Sequence, residues 1–299
     1  MRLTAAGGLL ILVNLGFLIA GVLFVKFTYD LTGTGWIEAL NESGYESQAS
    51  KLVTIAQAIG FATCAVAIMG VAGAILGSRI LLLVYSIVVV LALVIFGIIG
   101  GTGFSFRSKM TGWEAKEFPA EDMEKDFAPT FNEIYCYAQG AYFCNNATTA
   151  DILEIFLPSV PAAAGALLPE LQGINSLCKK QELASIVGSL DGVCKACGMA
   201  EKYARFDKIL TWANDKCPRT ATTSMWCAAF MQSDDLGPVY ENSPYKECRD
   251  EFLDVVISWS SSLAFMGVGA AVAAALLLAL SCFARRSGSS ADDDDHYKP

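Results

Sequence analysis

Four stretches of this chain carry no Asp, Glu, Lys, Arg or His: roughly Ala5–Val25, Leu52–Leu76, Ile80–Gly101 and Val255–Ala284. Nothing else in the sequence restricts the fold as tightly. A bilayer core of about 30 Å is crossed by about 20 helical residues. Inside it every backbone N–H and C=O must find a partner within the protein, which separate apolar runs achieve only as helices. The chain therefore reads as an all-α membrane protein with four transmembrane helices. Charge supports this: only 17% of residues are charged, where a soluble domain carries about 25%. The first run reads as a retained span, being too long for the apolar part of a signal peptide, and Lys26-Phe27-Thr28 is a poor cleavage site.

The runs divide the chain into 1–25 (N-terminus and first span), 26–51 (a short polar outer loop), 52–103 (second span, turn and third span), 104–254 (a large outer loop), 255–284 (fourth span) and 285–299 (an acidic tail, read as disordered). Gly77-Ser78-Arg79 is so short a connection that the second and third spans must form an antiparallel hairpin. Arg2, Arg79, Arg285 and Arg286 fall on one side of a four-span chain, and the positive-inside rule makes that side cytoplasmic. Both termini are then cytoplasmic, in a plasma membrane or an endomembrane. Two N-glycosylation sequons, at Asn41 and Asn146, fall on the opposite side.

Eight of the ten cysteines lie in residues 104–254: Cys136, Cys144, Cys178, Cys194, Cys197, Cys217, Cys227 and Cys248. An even set on the outer side predicts a disulfide framework, although eight cysteines allow 105 pairings. Cys194-Lys-Ala-Cys197 has the spacing of a redox pair or half of a zinc site, and a membrane thiol oxidoreductase using these two residues is one alternative function. The ready supply of other partners favours structural staples. Residues 104–254 hold 22 acidic and 14 basic side chains, which excludes nucleic acid as a partner because phosphate binding needs clustered Lys and Arg.

Chemistry has little other material. The sole histidine, His296, lies in the tail, and no phosphate loop or nucleophile elbow is present. The spans lack the interior ionisable residues that mark proton relays, which weighs against a pump; a channel or transporter subunit is the remaining alternative. No metal site and no cofactor are expected. Asn14 is the one strongly polar side chain of the first span, expected to bond across to another helix or to a nearby carbonyl. Cys64 reads as a packing residue, and Cys282, beside Arg285, as a palmitoylation candidate.

Within the large loop, residues 112–135 read as charged and aromatic, helical on either side of Pro119. Residues 198–216 read as a helix with Tyr203, Phe206, Ile209, Leu210 and Trp212 on its apolar side, and 243–254 as a helix entering the fourth span. Residues 151–171 are unusually apolar for an exposed loop. Ile152, Leu153, Ile155, Phe156 and Leu157 are accordingly candidates for partner binding.

The arrangement of four spans, a short first outer loop, a long cysteine-rich second one and short cytoplasmic ends resembles the tetraspanin family over nearly the whole length. The most specific stretch is Met69-Gly-Val-Ala-Gly-Ala-Ile-Leu-Gly-Ser-Arg-Ile-Leu-Leu-Leu-Val-Tyr85, similar to the family's second-span end, tight turn and third-span start. Asn14 matches its polar first-span residue, and Cys248 its last loop cysteine. Cys194-Lys-Ala-Cys197-Gly198 stands where the family has Cys-Cys-Gly, and the acidic or amide residues common in its third and fourth spans are missing. The resemblance implies a non-enzymatic scaffold that gathers membrane proteins and lipid, sterol included, alone or as a homo-oligomer, with the large loop as recognition domain.

Overall fold

The computed structural model describes residues 5–42, 48–76, 78–156, 172–178, 194, 197–198, 206–217, 219–233 and 240–295. Among them the chain forms ten helices: α1 (Ala5–Gly33), α2 (Trp36–Glu42), α3 (Gln48–Leu76), α4 (Arg79–Glu114), α5 (Asp122–Asn145), α6 (Thr149–Phe156), α7 (Ile174–Cys178), α8 (Asp207–Lys216), α9 (Ala221–Ser233) and α10 (Pro244–Asp295). The sole β pairing among them is a single antiparallel bridge between Thr148 and Gln172. α1, α3, α4 and α10 are each long and apolar enough to cross a membrane.

These four helices overrun the apolar runs that define them, because a hydrogen-bonded ladder continues into water until something stops it. α1 ends at Gly33, where Thr34 and the positive-φ Gly35 turn the chain. α4 ends at Glu114, before Pro119. No proline follows Pro244 until Pro299, and α10 runs unbroken through the segment expected to be a disordered tail as far as Asp295. The first outer loop is also corrected: most of its described length is helical, and Trp36 is buried rather than part of a solvated polar loop.

The chain folds as two units. The first comprises Met1–Asp30, Lys51–Thr111 and Val255–Pro299, and the second Leu31–Ser50 and Gly112–Asp254. In the first unit Leu12, Ile19, Phe61, Ile80 and Phe265 are all more than half exposed. That is the expected disposition where the surrounding solvent is hydrocarbon. Helix association there must come from close packing and polar contacts, since lipid is as apolar as leucine.

The interior supplies both. Asn14 donates through Nδ2 to the Leu10 carbonyl (2.8 Å) and accepts at Oδ1 from the Tyr85 hydroxyl (2.8 Å), joining α1 to α4. Gly70 of α3 covers this pair so closely that a Cβ there would lie 2.6 Å from the Tyr85 ring. Phe17 and Phe24 meet Phe96 edge to face at 6.1 and 6.0 Å. On α3, Gly60 lies against Val25 and Gly21 of α1. Backbone meets backbone between α4 and α10: a Cβ on Gly267 would stand 2.5 Å from the Gly100 nitrogen and 2.8 Å from its Cα. Further along the same pair, the Ser86 and Ser281 hydroxyls are 3.1 Å apart.

Gly267→Leu must therefore push backbone away from backbone. We expect a loss of about 1–3 kcal/mol, read as a lower unfolding temperature of the full chain in detergent micelles. Gly269→Leu is the control, since a Cβ at Gly269 meets nothing within 4 Å; equal losses from the two substitutions would contradict this packing.

Candidate functional site

The second unit is assembled on α5. Asp122 and Glu124 lie in its first turn, where negative charge complements the helix dipole. Pro129 is accommodated within it, and one face from Ala128 to Cys144 is almost continuously buried. That face takes an aromatic core. Trp36 of α2 stacks on Phe131 (5.5 Å between ring centroids) and meets Trp212 of α8 and Phe252 of α10 at 5.4 and 5.3 Å. Phe127 stacks on Phe252 at 5.2 Å. Such pairs contribute roughly 0.5–1.5 kcal/mol each beyond the area they bury.

At one end of this core sits a charged cluster. The Glu124 side chain is fully buried and the Arg249 side chain is 8% exposed; Arg249 Nε donates to Glu124 Oε1 at 2.7 Å. The Tyr245 hydroxyl donates to the same oxygen (3.0 Å) and the Ala120 N–H to Oε2 (2.7 Å). The second arm of the guanidinium donates from Nη2 to the Trp113 carbonyl (2.7 Å). Asn132 Oδ1 accepts from the Tyr245 backbone N–H at 2.7 Å. The cluster thus ties the end of α4, the start of α5 and the start of α10 together.

Four disulfides fix the rest. Cys136–Cys227 joins α5 to α9, and Cys217–Cys248 joins the end of α8 to α10. Cys144–Cys197 and Cys178–Cys194 hold the intervening chain to the end of α5 and to α7. They span sequence separations of 91, 31, 53 and 16 residues. Each such crosslink typically stabilises a small domain by about 2–5 kcal/mol. Cys194 and Cys197 each bond to a different, distant cysteine, which corrects the thiol-oxidoreductase alternative: the Cys-x-x-Cys spacing holds no internal dithiol couple.

The apolar segment begins at α6, and its entry is well anchored. Thr148 and Asp151 form a reciprocal cap. The Asp151 N–H donates to Thr148 Oγ1 (3.2 Å), while the Thr148 N–H and hydroxyl donate to Asp151 Oδ2 at 2.8 and 2.9 Å. The Tyr142 hydroxyl donates to the same carboxylate oxygen at 3.0 Å. The Arg219 guanidinium lies 4.0 Å above the Tyr142 ring. Gly173 closes the other side: its N–H donates to the Ala147 carbonyl (2.8 Å), its φ is +72°, and a Cβ there would stand 2.7 Å from the Asn145 carbonyl carbon. Only glycine fits that position.

This unit and the membrane helices occupy one continuous match to the family model described as Tetraspanin family, over residues 7–287. The chain belongs to the tetraspanin family. No curated protein and no solved structure matches it significantly. As a tetraspanin it is a multi-pass membrane protein whose role is, in general terms, that of a membrane scaffold.

The remaining sequence candidates fall as follows. Asn14 is buried in the membrane unit, while Cys282 is exposed on α10. Asn41 lies in α2, and Asn146 is exposed at the end of α5. Ile152 is half-buried. The side chains of Leu153, Ile155 and Phe156, and the whole of Leu157, lie outside the described residues, as does the Tyr203 end of the expected 198–216 helix. The rest of that helix is α8, with Ile209 and Leu210 buried. Among the described residues no group of three or more His, Cys, Asp or Glu is placed to hold a metal ion. Sequence reasoning missed Glu124, Asn132, Arg249 and Trp36. Glu124 and Asn132 sat in a segment read as charged, aromatic and helical, and Arg249 in one read as a helix entering the fourth span; no local pattern distinguishes a carboxylate that will be buried. Trp36 did carry a signal: a lone tryptophan in a short polar loop needs a surface to pack on.

Two predictions follow from this geometry. Glu124→Ala removes the buried carboxylate partner of Arg249, leaving the guanidinium the Trp113 carbonyl and a 3.7 Å contact to the exposed Asp250 carboxylate, and should cost about 3–5 kcal/mol, seen as a lowered thermal midpoint with all four disulfides intact; Glu124→Leu combined with Arg249→Leu should recover most of the loss. The second concerns pH. Burial raises the Asp151 carboxyl, but the hydrogen bonds from Thr148 and Tyr142 and the nearby Arg219 charge outweigh it, and the net shift is downward. A depressed folded pKa gives stability that is complete above the ordinary aspartate value and is lost as pH falls through the folded one. Amide exchange at Ile152 should stay slow from pH 7 to about 5, since the ordinary value is about 3.9. Asp151→Asn should speed that exchange at neutral pH.

Proposed function

We propose that this tetraspanin organises lateral assemblies of membrane proteins and lipid, with residues 104–254 standing outside the cytoplasm as the recognition domain. Its neighbours on this reading are other membrane proteins, copies of itself and lipid, including sterol. The observation that carries the proposal is the contrast between the two units. One is a four-helix bundle whose interior is filled by Phe17, Phe24, Phe96 and Leu277. The other is a polar-surfaced body pinned by four disulfides. Crosslinking of that kind is stable in an oxidising compartment, which supports an outer placement, and Arg2, Arg79, Arg285 and Arg286 support cytoplasmic termini. The filled interior counts against a channel.

The partner-binding face is assigned to α6 and the apolar residues after it, from Ile152, Leu153, Ile155, Phe156 and Leu157 onward. A capped helix on a disulfide-pinned frame, leading into an apolar stretch of sequence, suits capture of a protein surface. Deleting residues 153–168 should abolish co-purification of crosslinked neighbours while membrane delivery and the Cys136–Cys227 bridge persist. An unchanged set of neighbours would sink this assignment.

A further inference from the structure

The four disulfides differ in what surrounds them. In Cys136–Cys227, Cys144–Cys197 and Cys217–Cys248 every cysteine is buried, none more than 5% exposed. Cys178 and Cys194 are both partly exposed. Thiol–disulfide exchange begins with a thiolate reaching one of the two sulfurs, so access decides which bond exchanges first. Three bridges are shut inside the unit and one is open to a reductant.

The same bond adds least to the frame. It closes the shortest stretch, a separation of 16 residues against 31, 53 and 91, and the entropy a crosslink removes from the unfolded chain grows with that length. Its two ends are also held without it. At the α7 end, the Gly173 N–H donates to the Ala147 carbonyl (2.8 Å), Asn175 Nδ2 donates to Asn145 Oδ1 (2.8 Å), and Ile174 packs on the Cys144–Cys197 pair. At the other end Cys197, three residues past Cys194, is itself bonded to Cys144 of α5. Opening Cys178–Cys194 removes one closure and leaves both ends anchored.

We propose that Cys178–Cys194 is a redox modification site, a bond that a dithiol reductant opens in the folded protein while the other three persist. The inference goes beyond the scaffold reading and rests only on the four pairings and their burial. The protein is the substrate of this exchange, not its catalyst. One thiolate of the reductant attacks Cys178 Sγ. The S–S bond breaks, and Cys194 leaves with the electron pair and takes up a proton. The second thiol of the reductant, losing its proton, attacks the reductant sulfur of the mixed disulfide and expels Cys178, which is protonated in turn. The reductant ends as a disulfide, and two electrons have passed to the cysteine pair. In the oxidised state residues 178–194 form a covalent ring. In the reduced state the same chain is linear between the anchors at Asn175 and Cys197.

The test uses the full chain in detergent micelles with its four disulfides formed. Free thiols are first blocked with N-ethylmaleimide. Dithiothreitol is then added under native conditions, samples are quenched over time with a maleimide of different mass, and each cysteine is followed by peptide mapping. Cys178 and Cys194 should be labelled together, at least about tenfold faster than the other six, and the protein opened at that bond alone should keep a cooperative thermal transition. Opening of any buried bridge at a comparable or faster rate overturns the proposal, as does loss of the folded state when only Cys178 and Cys194 are open. A new Cys194–Cys197 bond also overturns it, because the freed thiol would then have dismantled the Cys144 anchor. The double variant Cys178→Ser, Cys194→Ser should fold with the other three pairs intact and lack the fast labelling phase. Scrambled pairs in that variant defeat the claim that both ends are held without the bond.

Discussion

A carboxylate with no contact with water has to be surrounded by donors, and the second unit is shaped by meeting that demand at Glu124. Its oxygens take hydrogen bonds from a guanidinium, a phenol and a backbone amide, and the guanidinium uses its other arm to hold the Trp113 carbonyl. None of these groups is close in sequence to all the others; Trp113 and Arg249 are 136 residues apart. The cluster is therefore where the two strands of chain that enter and leave the unit are made to meet. A buried pair of this kind adds little net stability compared with an apolar replacement. What it adds here is register, because only one alignment of α5 against α10 satisfies every donor.

The disulfides act on a different quantity. They restrict the unfolded chain rather than choose among folded arrangements, and they are distributed so that α5, α8, α9 and α10 are each held at least once. The aromatic cluster around Trp36 then fills the space between them. Together these give a frame rigid enough that the chain between Asn146 and Gly173 can leave it and return at a defined place. That defined departure and return is what the proposed recognition role would draw on.

The membrane helices were legible because hydrocarbon imposes one rule on every residue it touches. Twenty uncharged residues in a row have few other uses, and the four runs account for α1, α3, α4 and α10. The ends of those helices were not legible, because past the bilayer the rule lapses and hydrogen-bond continuity takes over. Asn14 could be read as a helix-joining residue from its cost in lipid, yet its partner Tyr85 could not be named, since any hydroxyl in range would serve. The cysteines gave the existence of a disulfide frame but not its connectivity, which depends on where helices bring distant residues together. Glu124 illustrates the limit: it looks like any other acidic residue in an acidic loop, and two of the three donors that satisfy it when buried, on Arg249 and Tyr245, are more than 120 residues away.

Two cysteines stand outside the disulfide frame, and their surroundings differ in kind. The Cys64 sulfur is wedged where α3 meets α1, 3.9 Å from the Leu18 carbonyl and against Gly21. Cys282 is exposed on α10. Of these two free thiols, Cys282 is the more exposed and so the better placed to meet a thiol-selective reagent. The molecule carries its own attachment point for a fluorophore or spin label, at the boundary of its last membrane helix, without any engineered residue. Because an acyl chain on that sulfur would consume it, labelling at Cys282 and acylation there would be mutually exclusive.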